Sequence, residues 1–302
     1  MAVQQEGAEF VAVGRLARAP LATRLWKGVI GFLVKKPLGA AGAIIILVMI
    51  SLALSAPIIT EDPMAWNLSE NYQGSSTKHL LGTNDVGQDI WAQVVHGARI
   101  SLYVGILAVA FGSGTGGAFG LISAFYGGKV DIIIQRIMDA FMSIPTLILA
   151  LAIMAALGGS VNNVVLAVGI VQIPRANRIV RSQAMSVKQS EFVMAARSIG
   201  ANDVRIMIYH MFPQCIAPWL IIASAGLGTA IIAEASLSFL GMGVPPMTPT
   251  WGGMLSQRGR EYFALAPQMA IWPGVAISLA VYGFNLFGDA IRDVMDPRLR
   301  GT

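Results

Sequence analysis

The chain is short of almost everything soluble chemistry relies on. Among 302 residues there is one cysteine, Cys215, three histidines, and only 12% charged side chains. Soluble globular chains carry about 25% charged residues. A single cysteine excludes a disulfide framework and any multi-cysteine metal site. Cys215 has no sequence-adjacent activating base and reads as a small packing residue. His79, His96 and His210 are scattered, which argues against a histidine metal site. No G-x-x-x-x-G-K-[ST] loop, G-x-S-x-G elbow or H-E-x-x-H helix occurs. The sequence thus offers no catalytic residues, cofactor-binding motif or metal site. What it has in abundance is apolar: 55% hydrophobic residues and a mean hydropathy of +0.65. Lipid is the solvent that suits this composition.

Crossing a hydrocarbon core of about 30 Å takes about 20 mostly apolar helical residues. Charge-free tracts run over 37–60, 100–128, 140–174, 211–233 and 262–288. The third is too long for one helix, and LGGSVNN (157–163) punctuates it. The sequence therefore predicts an all-α integral membrane protein with six spans near 38–58, 99–125, 133–157, 161–181, 212–236 and 268–291. ALSA near residue 55 looks like a small-residue cleavage site, but the long preceding segment favours a retained first span.

An even number of spans puts both termini on one side, and basic residues prefer the cytoplasm. With the termini inside, 17 of the 21 basic residues are cytoplasmic, leaving only Lys78, Arg99, Arg258 and Arg260 outside. This gives a cytoplasmic segment 1–36, a first transmembrane helix 37–60, a periplasmic loop 61–98, a five-helix core 99–292 and a cytoplasmic tail 293–302. The net charge of +5 is spread over membrane flanks, so no nucleic-acid partner is expected. GSGTGGAFG (112–120) looks like a phosphate cradle but lies inside a span. Its Gly112, Gly116 and Gly120 recur every fourth residue, the spacing of close helix packing.

The longest internal cytoplasmic loop is 182–214, SQAMSVKQSEFVMAARSIGANDVRIMIYHMFPQ. Ser186-x-x-Gln189 has the form of a capping box, opening a short helix that runs to Ile199. Gly200 suits a left-handed turn. Asn202 or Asp203 can cap a second helix continuing toward Pro213. Phe192, Ala195, Ala196 and Ile199 share one face by i, i+3, i+4 spacing. An apolar face outside the bilayer suits either a protein partner or the membrane surface, and helix spacing does not choose between them.

The loop resembles the signature of ABC-importer permease subunits: Glu-Ala-Ala, three residues, Gly, nine residues, Ile, one residue, Leu-Pro. Here those positions hold Met194, Ala195 and Ala196, then Gly200, His210, Phe212 and Pro213. Met194 replaces the acid, and Glu191 stands one turn earlier. The strings KKPLGAAG (35–42), HLLGTNDVGQDIWAQVVHGARISL (79–102), EASLSFLGMGVPPMTPTWGGML (234–255) and FNLFGDAIRDVMDPRLR (284–300) are similar to the C-type permease of dipeptide/oligopeptide importers.

The resemblance implies the type I importer permease architecture in a bacterial cytoplasmic (inner) membrane. It implies a second, usually non-identical permease subunit, two ATP-binding cassette ATPases and an extracytoplasmic solute-binding protein. ATP is then used by the partners, and this chain holds no cofactor. The loop would insert into a groove on the ATPase, which favours the partner reading of its apolar face. Members of this subclass carry dipeptides, longer peptides, glutathione, nickel complexes or oligosaccharides.

Two features stay open. The outer loop, with Trp66, Tyr72 and Trp91, reads as a cap meeting the binding protein or as a tether at headgroup level. Glu234 is the only acid between Met211 and Gln257 and falls near the outer end of the fifth span. An acid at membrane depth is a functional candidate. It reads either as a pathway or gate residue pairing with Arg258 or Arg260, or as the support of the SLSFLG turn. Arg136 with Asp139, and Asp289 with Arg292, are spaced to pair on a helix face as boundary ion pairs. A proton-driven transporter would want acids or histidines in mid-span, and apart from Glu234 there are none.

Overall fold

A computed structural model describes residues 36–245, 248–256 and 261–295, and its regular elements there are helices, with one isolated bridge from Thr83 to Asp89. The basic termini and the stretch with Arg258 and Arg260 lie outside the described residues. Helix α1, Pro37–Ile59, opens on a proline whose missing N–H costs nothing in a first turn. Its 23 residues reach about 35 Å, enough for a bilayer. Ile44, Leu47, Val48 and Leu54 are exposed on it, as suits a helix bathed in lipid. Its other side meets α9, Gln268–Met295. A Cβ on Gly42 would sit 2.7 Å from the Gly283 carbonyl oxygen, so glycine lets the two backbones touch. Lys36 Nζ closes the same pair of helices at Asp293 Oδ2, 2.7 Å away.

Helix α2, Ile90–Tyr126, is continuous for 37 residues. The expected outer helix at 87–97 and the second span are one element. Asp89 caps it, accepting from the Ala92 N–H at 2.9 Å, and no proline interrupts the helix beyond. Gly97, the one weak helix former at the junction, is where Trp251 lies against the helix, 3.1 Å from where a Cβ would be. Helix α2 packs along α5, Val161–Lys188, through the glycine seam. Cβ atoms on Gly112, Gly116 and Gly120 would strike the backbone carbonyls of Gly169, Ile173 and Asn177 in turn. Helix packing is thus the role of these glycines. Gly114, between them, has nothing within 4 Å.

The expected third span, 133–157, is broken. Helices α3, Gly128–Met142, and α4, Thr146–Leu157, meet at a bend of 93°. Pro145 explains the break: it offers no N–H and biases Ile144 away from helical geometry. Among the described residues, four helices are long and apolar enough to cross a membrane: α1, α2, α9 and α7, which runs from Asp203 to Phe239. The bent pair makes a fifth candidate. Helix α5 fails that measure because Asn162, Asn163, Gln172, Arg175 and Asn177 lie on it. It is nevertheless packed among α2, α4 and α7. A helix surrounded by protein tolerates polar groups that lipid would not.

The boundary ion pairs differ from expectation. Asp139 takes Arg178 Nη2 at 2.7 Å instead of Arg136, and no Asp289–Arg292 pair forms among the described residues. At both boundaries the observed pair runs between helices, from Asp139 to Arg178 and from Asp293 to Lys36. Asp131 grips Arg181 through two bonds of 2.7 and 2.6 Å, and Ser123 and Gln135 extend that network to Asn177.

The segment 60–89 is cross-linked by polar groups. His79 Nδ1 lies 2.8 Å from Asp89 Oδ2 and Nε2 lies 3.3 Å from Glu70 Oε2. Lys78 binds the other Glu70 oxygen. Gln88 Oε1 accepts from Asn84 and Gln93, both at 2.8 Å. The Lys78 hydrogen bond, joined by His79, holds the Glu70 carboxyl below its ordinary value of 4.5 despite some desolvation. A depressed carboxylate stabilises the fold above its unfolded pKa, and that stabilisation disappears as pH falls through the folded pKa. Limited proteolysis should therefore find this loop increasingly cut below about pH 4. Lys78→Ala should move the onset to higher pH, and an onset indifferent to Lys78 would contradict the assignment.

Candidate functional site

The loop expected at 182–214 is a helix, a glycine turn and the start of a long helix. Its beginning differs from expectation. Helix α5 continues through Ser186 to Lys188, so the capping box at Ser186 and Gln189 is not used. The chain breaks instead at Gln189 and Ser190, and α6 is Glu191–Ser198. Ile199, Gly200 and Ala201 then form a Schellman turn. The Ala201 N–H reaches the Ala196 carbonyl at 3.1 Å and the Gly200 N–H reaches Arg197 at 3.0 Å. Gly200 has φ +83°, a backbone that side chains rarely adopt. Asn202 caps the next helix, its Oδ1 accepting from the Arg205 N–H at 2.8 Å.

Helix α7 does not stop at Pro213. It passes through a π-helical stretch, Ile206–Met211, and continues to Phe239. The widened turn just before Pro213 accommodates a residue that cannot donate a backbone hydrogen bond. The second loop helix and the fifth span are accordingly one rod.

The eight singled-out residues fall into two groups. Glu191 is in the first turn of α6, exposed, where its charge suits the helix dipole. Met194 and Ala195 are exposed and Gly200 makes the turn. His210, Phe212 and Pro213 stand on α7 at the end of the π-helical stretch, with Phe212 and Pro213 exposed. Ala196 is the exception: it is buried, so it leaves the shared apolar face. The large exposed apolar residues of α6 and its turn are Phe192, Met194 and Ile199, the last 86% exposed.

Sequence reasoning missed Val193, which is buried three residues before Ala196 and makes the inward stripe. That i, i+3 pair was the available signal. Val193 joins Phe125 of α2, Val187 of α5 and Ile206 and Met211 of α7 in one apolar cluster. The loop helix is therefore mounted on three long helices at once.

At the opposite end of α7, Glu234 is fully buried. Ser101 Oγ of α2 and Ser238 Oγ each donate to it at 2.9 Å, and Thr250 adds a third hydrogen bond. No described lysine or arginine pairs with it, and the candidate partners Arg258 and Arg260 lie outside the described residues. Thr250 also caps helix α8, Trp251–Leu255. Next to it Trp251 is buried, its Nε1 donating to the Val94 carbonyl at 2.9 Å. Gly252 sits so close to α7 that a Cβ would overlap the Ala235 backbone. Glu234 thus ties together α2, α7 and the segment that leads into α8. A cavity of about 460 Å³ adjoins it, walled by Ser238 and Thr250 on one side and Asn84, Gln88 and Gln93 on the other. Among the described residues no cluster of metal-ligating side chains occurs.

Helices of membrane-spanning length, with a short loop helix mounted on three of them, frame these two sites among the described residues. Residues 116–301 match the family model of the binding-protein-dependent transport system inner membrane component. The chain is 41% identical over 276 residues to the dipeptide transport system permease protein DppC of Alkalihalophilus pseudofirmus, covering 91% of this chain and 90% of that one. It is 39% identical to a putative peptide transport system permease protein of Brucella suis, over 86% and 87% of the two chains. The glutathione transport system permease protein GsiD of Pectobacterium atrosepticum is 38% identical, over 88% and 89%. The chain therefore belongs to the family of inner membrane components of binding-protein-dependent transport systems.

Proposed function

We propose that this chain is the membrane-spanning subunit of an ATP-driven importer of dipeptides and oligopeptides, forming half of the translocation pathway. The observation that carries the coupling role is α6, a short helix closed by a Schellman turn that leaves Phe192, Met194 and Ile199 uncovered. Burying one such side chain against a partner contributes about 1.5–3 kcal/mol. Its proposed partner is one of two cytoplasmic ATPases, with Glu191, Met194, Ala195, Gly200, His210, Phe212 and Pro213 at or around the contact and Ala196 beneath it. A second, non-identical permease completes the pathway, and a solute-binding protein delivers cargo from outside.

The proposed arrangement has six spans with both termini cytoplasmic, a sidedness supported by the 17 basic residues it places inside. On that reading α5 is the polar, protein-enclosed span, and the bent pair α3–α4 is a broken one. The site is a bacterial inner membrane. ATP-driven closure of the partners moves α6, and the attached helices rock between inward- and outward-open states. Peptide cargo is supported by the relatives, whose names specify dipeptide, peptide and glutathione. Glutathione is itself a tripeptide, so it stays within the same chemistry.

The experiment is Ile199→Glu in the assembled transporter. Placing a carboxylate in a desolvated contact should weaken ATPase association at least about tenfold, while membrane insertion is unchanged. Association at the normal strength would show that α6 is not the contact. Ligand binding by the solute-binding protein then tests the cargo.

A further inference from the structure

Beneath α6 lies a side-chain cluster that the coupling reading does not require. Phe125, 4% exposed, is the penultimate residue of α2. Arg197 of α6 places its guanidinium 5.8 Å from the centre of the Phe125 ring, and Lys188, the last residue of α5, places its ammonium at 5.9 Å. Both are within the range of cation–π attraction. Lys188 also donates to the final carbonyls of α2, at 3.2 Å to Ala124 and 2.6 Å to Phe125. A cation at a helix C-terminus satisfies orphan carbonyls and the negative end of the dipole together. Tyr126 packs its ring edge-on against Phe125 at 5.2 Å.

These contacts have a mechanical meaning. Helix α6 is joined to α5 through only two intervening residues, Gln189 and Ser190, and to α7 through the Gly200 turn. Neither connection reaches α2. The described contacts from α6 to the end of α2 are Arg197 on the Phe125 ring and Val193 in the apolar cluster around it. Val193 supplies non-directional packing, whereas Arg197 and Lys188 fix the ring between α6 and α5. Helix α2 in turn carries Ser101, which donates to Glu234 at the far end.

We propose that Phe125, Lys188 and Arg197 form a positioning joint that makes α2 follow α6 when the loop helix is displaced. The inference rests on α6 being the ATPase contact. The joint sets how completely displacement is transmitted, and it leaves docking to the exposed face of α6.

The test uses the complete transporter with its ATPases and binding protein, reconstituted in vesicles. Phe125→Leu keeps an apolar side chain and removes the ring, while Phe125→Trp keeps a ring for the cations. Losing two cation–π contacts should lower binding-protein-stimulated ATP hydrolysis and transport about tenfold in the leucine variant. ATPase co-purification and KM for ATP should stay unchanged, and the tryptophan variant should retain most of the stimulation. Arg197→Met, on an exposed position that does not threaten folding, should reproduce part of the leucine effect. Adding it to Phe125→Leu should cost little more, because the two act through one contact. Stimulated hydrolysis at the normal rate in Phe125→Leu would overturn the joint, as would equal losses in the leucine and tryptophan variants. Loss of ATPase association in Ile199→Glu without any effect of Phe125→Leu would leave the coupling contact standing and remove the joint alone.

Discussion

Gly116→Leu should strongly destabilise the folded protein. The residue faces α5 so closely that a Cβ would overlap the Ile173 carbonyl and lie 2.8 Å from the Ala176 Cβ and 3.1 Å from the Asn177 amide. Backbone atoms cannot rotate away as a side-chain end can. The helices must separate, and separation also breaks the contacts at Gly112 and Gly120 on the same seam. Overpacking in a core usually costs about 1–3 kcal/mol, and a backbone collision belongs at or above the upper end. The expected readout is a fall of about 10 °C or more in the melting temperature of the detergent-purified complex. Gly114→Ala is the control: it lies on the same helix with open space around it, and alanine is the better helix former. It should be neutral within about 0.5 kcal/mol. Equal damage at 114 and 116 would refute the seam and point to a general intolerance of α2.

The second large effect is expected at Glu234. Alanine there removes the common acceptor of Ser101, Ser238 and Thr250, all buried. Each stranded hydroxyl costs about 1–3 kcal/mol unless it finds a backbone carbonyl, and serine on a helix often does. A net loss of about 3 kcal/mol, concentrated in the α8 segment, is expected. Hydrogen exchange at the amides of 251–255 should accelerate about a hundredfold, since each tenfold corresponds to about 1.4 kcal/mol. Glu234→Gln keeps the size and one acceptor, so its effect should be smaller. Unchanged exchange in the alanine variant would show that Thr250 and Trp251 are fixed by other contacts. Normal transport in the glutamine variant would count against a gating role for this carboxyl.

Much of this architecture is legible in the residues because lipid simplifies the problem. Charge-free tracts locate α1, α2, α7 and α9 directly, and the four-residue spacing of Gly112, Gly116 and Gly120 identifies the seam before any coordinate is known. Gly200 and Asn202 announce the turn and cap they form. The difficulties have particular causes. The break at Pro145 sits inside an uninterrupted apolar run, so hydropathy is blind to it and only the proline rule reveals it. The capping box at Ser186 fails because α5 already occupies those positions with helix. A local motif cannot register that an earlier helix has not ended. Asp139 chooses Arg178 over Arg136 because a tertiary contact outcompetes a same-helix pair worth only a few tenths of a kcal/mol. One turn beyond Asp289, whose expected partner is Arg292, it is Asp293 that pairs, with Lys36. The Phe125 joint had no sequence signal, since its three members lie on three helices and nothing in their spacing connects them.

The continuity of α7 has one more consequence. Because Asp203 and Glu234 belong to one helix, the loop end and the buried carboxyl are opposite ends of a single arm. At 1.5 Å per residue they are about 46 Å apart, so a tilt of about 5° pivoted near Asp203 carries Glu234 sideways by about 4 Å. That is more than a hydrogen bond can stretch. Any larger swing of the arm about its loop end must therefore either unfasten the three hydroxyls at Glu234 or drag the α8 segment along with it. The π-helical stretch and Pro218 are the two places where the arm can bend and spare that choice. The stiffness of α7 would then decide how much of a motion at Asp203 reaches Glu234 along this arm.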